Sequence, residues 1–383
     1  IAEQHFNLID DLTKESVIEI TGEVKENKES RWGIEVVIKE VGLISLAKVP
    51  LPIDNTDKSN TNIDKRLDYR FLDTRNLKHQ AIFKVRSKIA KILTNFFDKE
   101  GFTNVTTPKI TKIGVESGAE IFSMDYFGKP AYLAQSPQIY KQMFMTGGFE
   151  KVYEIGPVFR AEKSHTSRHL TEFTGVDFEI AFIEDEEELM KFCEKMIIGL
   201  LKDLQKESEK ELKLLNVEHN IPKEIPRISM VEAKELLAKK GKKYKDEDDL
   251  DPEGEQLLGE IVKEKYGCDF VFLTRFPWEV RPFYHMKQED NDKETKSFDL
   301  LFKGVEICTG AQREHRFEIL GVQADEKGLN LDLMEKYVEI FQYGIPPHGG
   351  VGFGIDRITQ RLLDLENIRE AVLLPRDPER MLP

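Results

Sequence analysis

The chain has 383 residues, 40% of them hydrophobic and 33% charged, which is enough for one large core and a small satellite domain. Its net charge of −14 opposes the basic footprint usual in nucleic-acid binders, so a nucleic-acid partner requires a local basic stripe on an acidic body. No apolar run reaches ~18 residues, so no transmembrane helix is expected, and Cys193, Cys268 and Cys308 lack the spacing of a zinc site or disulfide framework, which fits a reducing cytoplasm.

Up to Val49 the pattern reads as short strands, clearest over Val17–Lys25 and in the alternation of Ile34, Val36 and Ile38. Pro50-Leu51-Pro52 and the polar stretch Asn55–Asn62 then mark a linker. Ile82, Val85, Ile89, Ile92 or Leu93, and Phe96 form one stripe of a helix over Ala81–Glu100 that stops at Gly101. Phe102–Pro108 reads as a strand closed by proline.

A strand-like run ends at Phe159-Arg160-Ala161-Glu162, and Arg168-His169-Leu170-Thr171-Glu172-Phe173 opens the next. The loop between them carries Arg160, Glu162, His165, Arg168 and His169, and guanidinium forks with imidazoles suit a polyphosphate in charge and geometry. From Phe173 to Phe182 the residues alternate, Val176, Phe178, Ile180 and Phe182 facing a core and Phe173, Gly175, Asp177 and Glu179 left for a ligand. An ordinary half-buried strand alternates in the same way. Glu184–Glu188 starts a surface helix running through Lys213, and Lys234–Asp251 reads as a solvated charged insertion. Near the end, Gly349-Gly350-Val351-Gly352-Phe353-Gly354-Ile355-Asp356-Arg357 is an extended glycine-rich run entering a helix, where glycines let the backbone approach a flat or charged ligand.

Taken in order, the helix and strand ending at Pro108, the two segments around Arg160 and Arg168, and the terminal glycine run resemble motifs 1, 2 and 3 of class II aminoacyl-tRNA synthetases. Gln135-Ser136-Pro137-Gln138-Ile139-Tyr140-Lys141-Gln142 is similar to the signature of the aspartyl-tRNA synthetases of subclass b, archaeal and eukaryotic cytosolic type. Arg66–Arg70, Gly304–Arg313 and Pro375-Arg376-Asp377-Pro378 add to a resemblance that spans essentially the whole chain. It implies an α+β fold, an antiparallel sheet flanked by helices and preceded by a partial N-terminal OB-fold β-barrel. The implied division is residues 1–49 for the latter part of the anticodon-binding barrel, 50–65 for a hinge, and 66–383 for the catalytic domain with an insertion at about 195–270.

The same resemblance implies activation of L-aspartate by ATP and transfer to the 3′ end of tRNA(Asp), with tRNA(Asn) a further candidate, by a cytoplasmic homodimer. It places Arg160 on the α-phosphate and the substrate carboxylate, Glu162 beside adenine or ribose, and Arg168 and His169 on the outer phosphates. Phe173 and Arg357 enclose the adenine, with Leu170, Gly354, Ile355 and Asp356 framing the nucleotide. Glu306 and Thr309 would hold Mg2+, Thr309 standing where relatives usually have serine and Asp356 where they more often have glutamate. Glu116, Ser136, Gln138 and Asp177 would meet the α-amino group, and Lys141 with Arg313 the side-chain carboxylate. Ser117, at a usual glycine, would stiffen the loop carrying Glu116. The alternatives are an asparaginyl-tRNA synthetase, an amidating enzyme of the asparagine synthetase type, and a tRNA-binding regulator without catalysis. Lys141, the retained N-terminal strands and the intact phosphate arginines count against them in turn.

Overall fold

A computed structural model describes residues 9–30, 32–56, 60–112, 120–163, 166–329 and 334–382. The chain divides into two compact units, Ile1–Asp73 and Thr74–Pro383. In the first, β1 (Val17–Glu26) and β2 (Ile34–Ser45) form an antiparallel ribbon, followed by α1 (Ile63–Asp68) and α2 (Arg70–Asp73). The Asn62 side chain caps α1, and Asp73 binds Arg66 at 2.9 Å and buried Arg70 at 2.7 Å.

The second unit is built on an eight-stranded sheet, and its strands in chain order are β3 (Thr103–Asn104), β7 (Lys151–Phe159), β8 (Glu172–Ala181), β9 (Arg227–Ser229), β10 (Phe270–Thr274), β11 (Ser297–Phe302), β12 (Val305–Gln312) and β13 (His348–Gly354). In space they run β3-β7-β8-β13-β12-β11-β10-β9; the six central strands pair antiparallel, and the short outer ones join parallel. A small sheet of β4 (Ile110–Thr111), β5 (Ser123–Tyr126) and β6 (Lys129–Leu133) lies ahead of β7 in sequence.

Helix α3 (Leu77–Lys99) begins four residues before the expected Ala81, because the Asn76 side chain accepts from Lys78 N and supplies a cap. Its buried stripe takes in Phe97 rather than Phe96. After α4 (Gln138–Thr146), the expected surface helix through Lys213 is two helices, α5 (Glu186–Glu207) and α6 (Glu209–Leu215), parted at buried Ser208. The acidic first turn of α5 is partly exposed and capped by Asp185, but Leu189, Cys193, Ile197, Leu200 and Leu204 enter the main core, so this is a core helix with one wet face. The insertion folds as α7 (Met230–Lys239) and α8 (Pro252–Tyr266) around a separate small core with β9 and β10. Three further helices are α9 (Phe317–Glu326), α10 (Glu335–Glu339) and α11 (Ile355–Leu362).

Strand β8 departs from simple alternation in two respects. Val176 and Phe178 fill the core as expected, but Asp177 and Glu179 on the other face are buried too, and Phe182 lies beyond the strand at φ 60, exposed. Glycines on the neighbouring strand make this possible. A Cβ at Gly350 would collide with Glu179 Oε2, and one at Gly352 would stand 3.2 Å from Asp177 Oδ1. The glycine run therefore first serves to seat two carboxylates inside the sheet.

Candidate active site

The open face of β8, β13 and β12 floors a cleft of about 320 Å³, of the size that takes a small ligand. The segment from β7 into β8 supplies one wall with Arg160, Glu162, Arg168, His169, Leu170 and Phe173. The segment leading into α4 supplies Gln135 and Ser136 and its first residue Gln138, and the far side is Glu306, Thr309, Arg313, Gly354, Asp356 and Arg357.

Cations and acceptors are arranged in two groups. At the β7–β8 end, the Arg160 guanidinium lies 5.4 Å from the Phe173 ring centroid, and Glu162 is 3.9 Å from Arg160 and 3.6 Å from His169. Burial, then Arg357 and Arg160, hold the His169 imidazole below its ordinary range, so it is neutral near pH 7 and can donate or accept. Arg357 Nη1 donates to Glu306 O at 3.1 Å and Oε2 at 3.2 Å, while the Thr309 hydroxyl donates to Glu306 Oε1 at 3.1 Å.

The second group lies deeper. Arg313 Nε donates to Glu179 at 3.0 Å, Nη1 to His285 Nε2 at 2.9 Å and Nη2 to Gln138 Oε1 at 2.9 Å. Lys141 lies behind this floor, fully buried, with Nζ 3.1 Å from Asp177 Oδ1 and 3.3 Å from Glu179 Oε2. Burial raises the cost of charge on Glu179, but Arg313, Lys141 and His348 together outweigh it and keep the carboxyl ionised.

An acidic cluster borders the cleft at Glu306. Burial pushes Asp299 up to about 7 despite Arg281 at 2.8 Å, and burial with Glu306 pushes Glu255 of α8 up to about 8 despite Arg168 at 3.1 Å. Asp299 pairs across the sheet with Thr309, and its Oδ1 is buried without a hydrogen-bond partner. Glu306 raises both Asp299 and Glu255, while its own carboxyl is held below the ordinary range, against burial, by Arg357, Arg281 and Arg160; an ionised carboxylate beside the free Asp299 Oδ1 and the Thr309 hydroxyl fits a hard dication. Among the described residues no ready-made group of three His, Cys, Asp or Glu stands around one point, so water or substrate oxygens would complete the shell.

With this geometry in view, the comparisons are decisive. The profile of the family described as tRNA synthetases class II (D, K and N) matches residues 62–378. The chain belongs to the class II tRNA synthetases. It is 47% identical over 100% of its length to the aspartate–tRNA(Asp) ligase of Pyrococcus abyssi, covering 88% of that protein. It is 44% identical over 98% of its length to the aspartate–tRNA(Asp/Asn) ligase of Aeropyrum pernix, covering 85% of it. Among solved structures, the asparaginyl-tRNA synthetase of Pyrococcus horikoshii with asparaginyl-adenylate superposes with a TM-score of 0.92 at 31% identity, covering 100% of this chain and 88% of that one. The aspartyl-tRNA synthetase of Entamoeba histolytica gives 0.89 at 34%, covering 98% and 81%.

Most residues singled out in the synthetase sequence line the one cleft. Lys141 sits behind its floor, Ile355 packs into the hydrophobic core at 1% exposure, and Glu116 lies outside the described residues, as do Ser117 and His165. Asp356 borders the cleft, but its oxygens accept from Arg86 Nε at 2.8 Å and Thr174 N at 2.9 Å, so its carboxylate ties α11 to α3 and β8. Sequence reading missed Arg281, Tyr284, His285, Asp299 and Glu255. A signal existed for Asp299, a lone carboxylate inside the apolar run Ser297–Phe302, and for Arg281-Pro282-Phe283-Tyr284-His285, a basic and aromatic cluster after a 3-10 turn. Glu255 had none, being one of many acids on a charged helix.

Proposed function

We propose that the chain is an aspartate–tRNA ligase that activates L-aspartate with ATP and passes it to the 3′ end of tRNA(Asp). The observation that carries this reading is the Arg313 guanidinium, fixed by Glu179, Gln138 and His285 at the floor of a cleft whose other end presents Arg160, Arg168 and His169. One end suits a small acid, the other a triphosphate. The names of the Pyrococcus and Aeropyrum relatives support the same substrate.

In this reading an oxygen of the aspartate α-carboxylate attacks the α-phosphorus of ATP, the bond to the bridging oxygen breaks, and pyrophosphate leaves with that oxygen. Arg160 stabilises charge on the α-phosphate and holds the attacking carboxylate in line, a task for positioning and electrostatics. Arg168 and His169 receive the outer phosphates, Phe173 and Arg357 the adenine, and Glu162 its edge or the ribose. Ser136, Gln138 and Asp177, with Glu116, meet the α-ammonium group. Arg313 takes the side-chain carboxylate, and Lys141 acts from behind by balancing Asp177 and Glu179. Glu306, Thr309 and Asp299 would hold Mg2+, which supplies neutralisation of the polyphosphate charge. By family resemblance the protein works as a cytoplasmic homodimer through α3 and the segment to Pro108, and binds the anticodon with its N-terminal unit.

The relatives named for both tRNA(Asp) and tRNA(Asn) give a second reading for the transfer step alone. Aminoacylation with [14C]aspartate and each purified tRNA decides it: charging of tRNA(Asp) alone supports the first reading, charging of both the second, and charging of neither overturns the assignment.

A further inference from the structure

His285 was not among the residues expected to act, yet it is 2% exposed, lines the cleft and touches the residue on which the substrate assignment rests. Arginine has no acceptor, so in the 2.9 Å contact with Arg313 Nη1 the lone pair belongs to His285 Nε2. Nδ1 then carries the proton and the ring is neutral, a state favoured by its burial and by the cations Arg313, Arg281 and Lys327 around it. Nδ1 has no hydrogen-bond partner among the described residues.

The backbone that presents His285 is held from two sides. It bridges Arg313 across a short antiparallel contact, with Met286 N donating to Gln312 O at 3.0 Å and Glu314 N to Tyr284 O at 2.9 Å. From the other side the buried Gln323 amide of α9 donates to His285 O at 3.0 Å and to Phe283 O at 2.5 Å. The imidazole is thus a rigid acceptor, while Glu179 and Gln138 take two further N–H groups of Arg313, and the guanidinium has more donors than these partners use. The remaining N–H groups have their direction set by the three acceptors.

We propose that His285 is a specificity-determining positioning residue: by accepting from Arg313 Nη1 it fixes the face that the guanidinium turns to the cleft, and so the preference for an acidic over an amide side chain. This rests on the reading of Arg313 as the side-chain ligand. An apolar residue at 285 leaves the guanidinium with an unpaired donor and freedom to turn, and a carboxylate, which needs the fork in register, suffers more than a neutral amide.

The test is amino-acid-dependent ATP–pyrophosphate exchange with the full chain, comparing wild type, His285→Phe and His285→Gln. Phe keeps the bulk without an acceptor, and Gln restores an acceptor at similar reach. Expected are a rise of about 30-fold in KM for aspartate in His285→Phe, a narrowed aspartate-to-asparagine ratio, an ATP KM within about twofold of wild type, and recovery of most of the loss in His285→Gln. If His285→Phe does not fold, His285→Asn, polar but one methylene shorter, takes its place against His285→Gln. Equal loss for both amino acids, a parallel rise in ATP KM, or no advantage of Gln at equal thermal stability overturns the proposal. A wild-type enzyme that does not prefer aspartate overturns instead the reading of the site on which it rests.

Discussion

At the scale of single residues, the active-site cations differ in what a substitution removes. Arg160 is partly exposed and stacked beside Phe173, so Arg160→Lys keeps the charge and the fold but loses the planar fork. The activation rate is expected to fall about 100-fold with the unfolding midpoint unchanged, as for loss of an oxyanion donor; near-normal exchange would remove Arg160 from the reaction. Lys141 is the opposite case. Its sequence position suggests a ligand whose loss leaves folding intact, but its ammonium lies at 1% exposure between Asp177 and Glu179. Lys141→Met is therefore expected to destabilise the chain by ~3–5 kcal/mol in urea unfolding, as for a broken buried pair, as well as weakening aspartate use. An unchanged midpoint would show that the two carboxylates are compensated without it.

Among the elements, β13 tests how the site is seated in the sheet. Gly350 has no room for a side chain because Glu179 occupies it, so Gly350→Ala must displace a carboxylate bonded to both Arg313 and Lys141. A loss of ~1–3 kcal/mol is expected by overpacking, with a rise in aspartate KM; a variant as stable and active as wild type would contradict the described packing. The same strand shows what sequence can and cannot carry. Its glycines were legible as a place of close approach, but whether a ligand or a neighbouring side chain approaches depends on the register against β8, which brings Gly350 opposite Glu179. Helix α3 was legible in its stripe, and the β7–β8 segment in its charges. The long helix through Lys213 was misread because the apolar positions that send α5 into the core recur on either side of the break at Ser208. Glu255 stayed hidden because it reaches the site from a charged helix far from the motifs, and the role of His285 because only its bridge to Arg313, far along the chain, brings it to the guanidinium.

For the whole molecule, the acidic cluster links stability, pH and metal. Asp299 at about 7 and Glu255 at about 8 stand above the ordinary carboxylate range, so at intermediate pH the folded chain holds protons that the unfolded chain has released. Their contribution favours folding in acid and is lost as pH rises through about 7 and 8. The thermal midpoint without Mg2+ is expected to fall from about pH 6 to about pH 8.5, less so in Glu255→Gln, and Mg2+ should stabilise the protein more at the upper end because it binds the ionised carboxylates. A midpoint that rises over this range in wild type, or an Mg2+ effect that grows toward acid, would contradict the protonation described.

ATP–pyrophosphate exchange without tRNA engages the acid-binding floor and the phosphate-binding end of the cleft at once. Measured with purified protein, Mg2+ and each amino acid in turn, exchange is predicted to depend on aspartate, with asparagine at least about 100-fold less effective in kcat/KM. Exchange driven better by asparagine, or by no amino acid at all, would contradict the assignment of Arg313 and its partners.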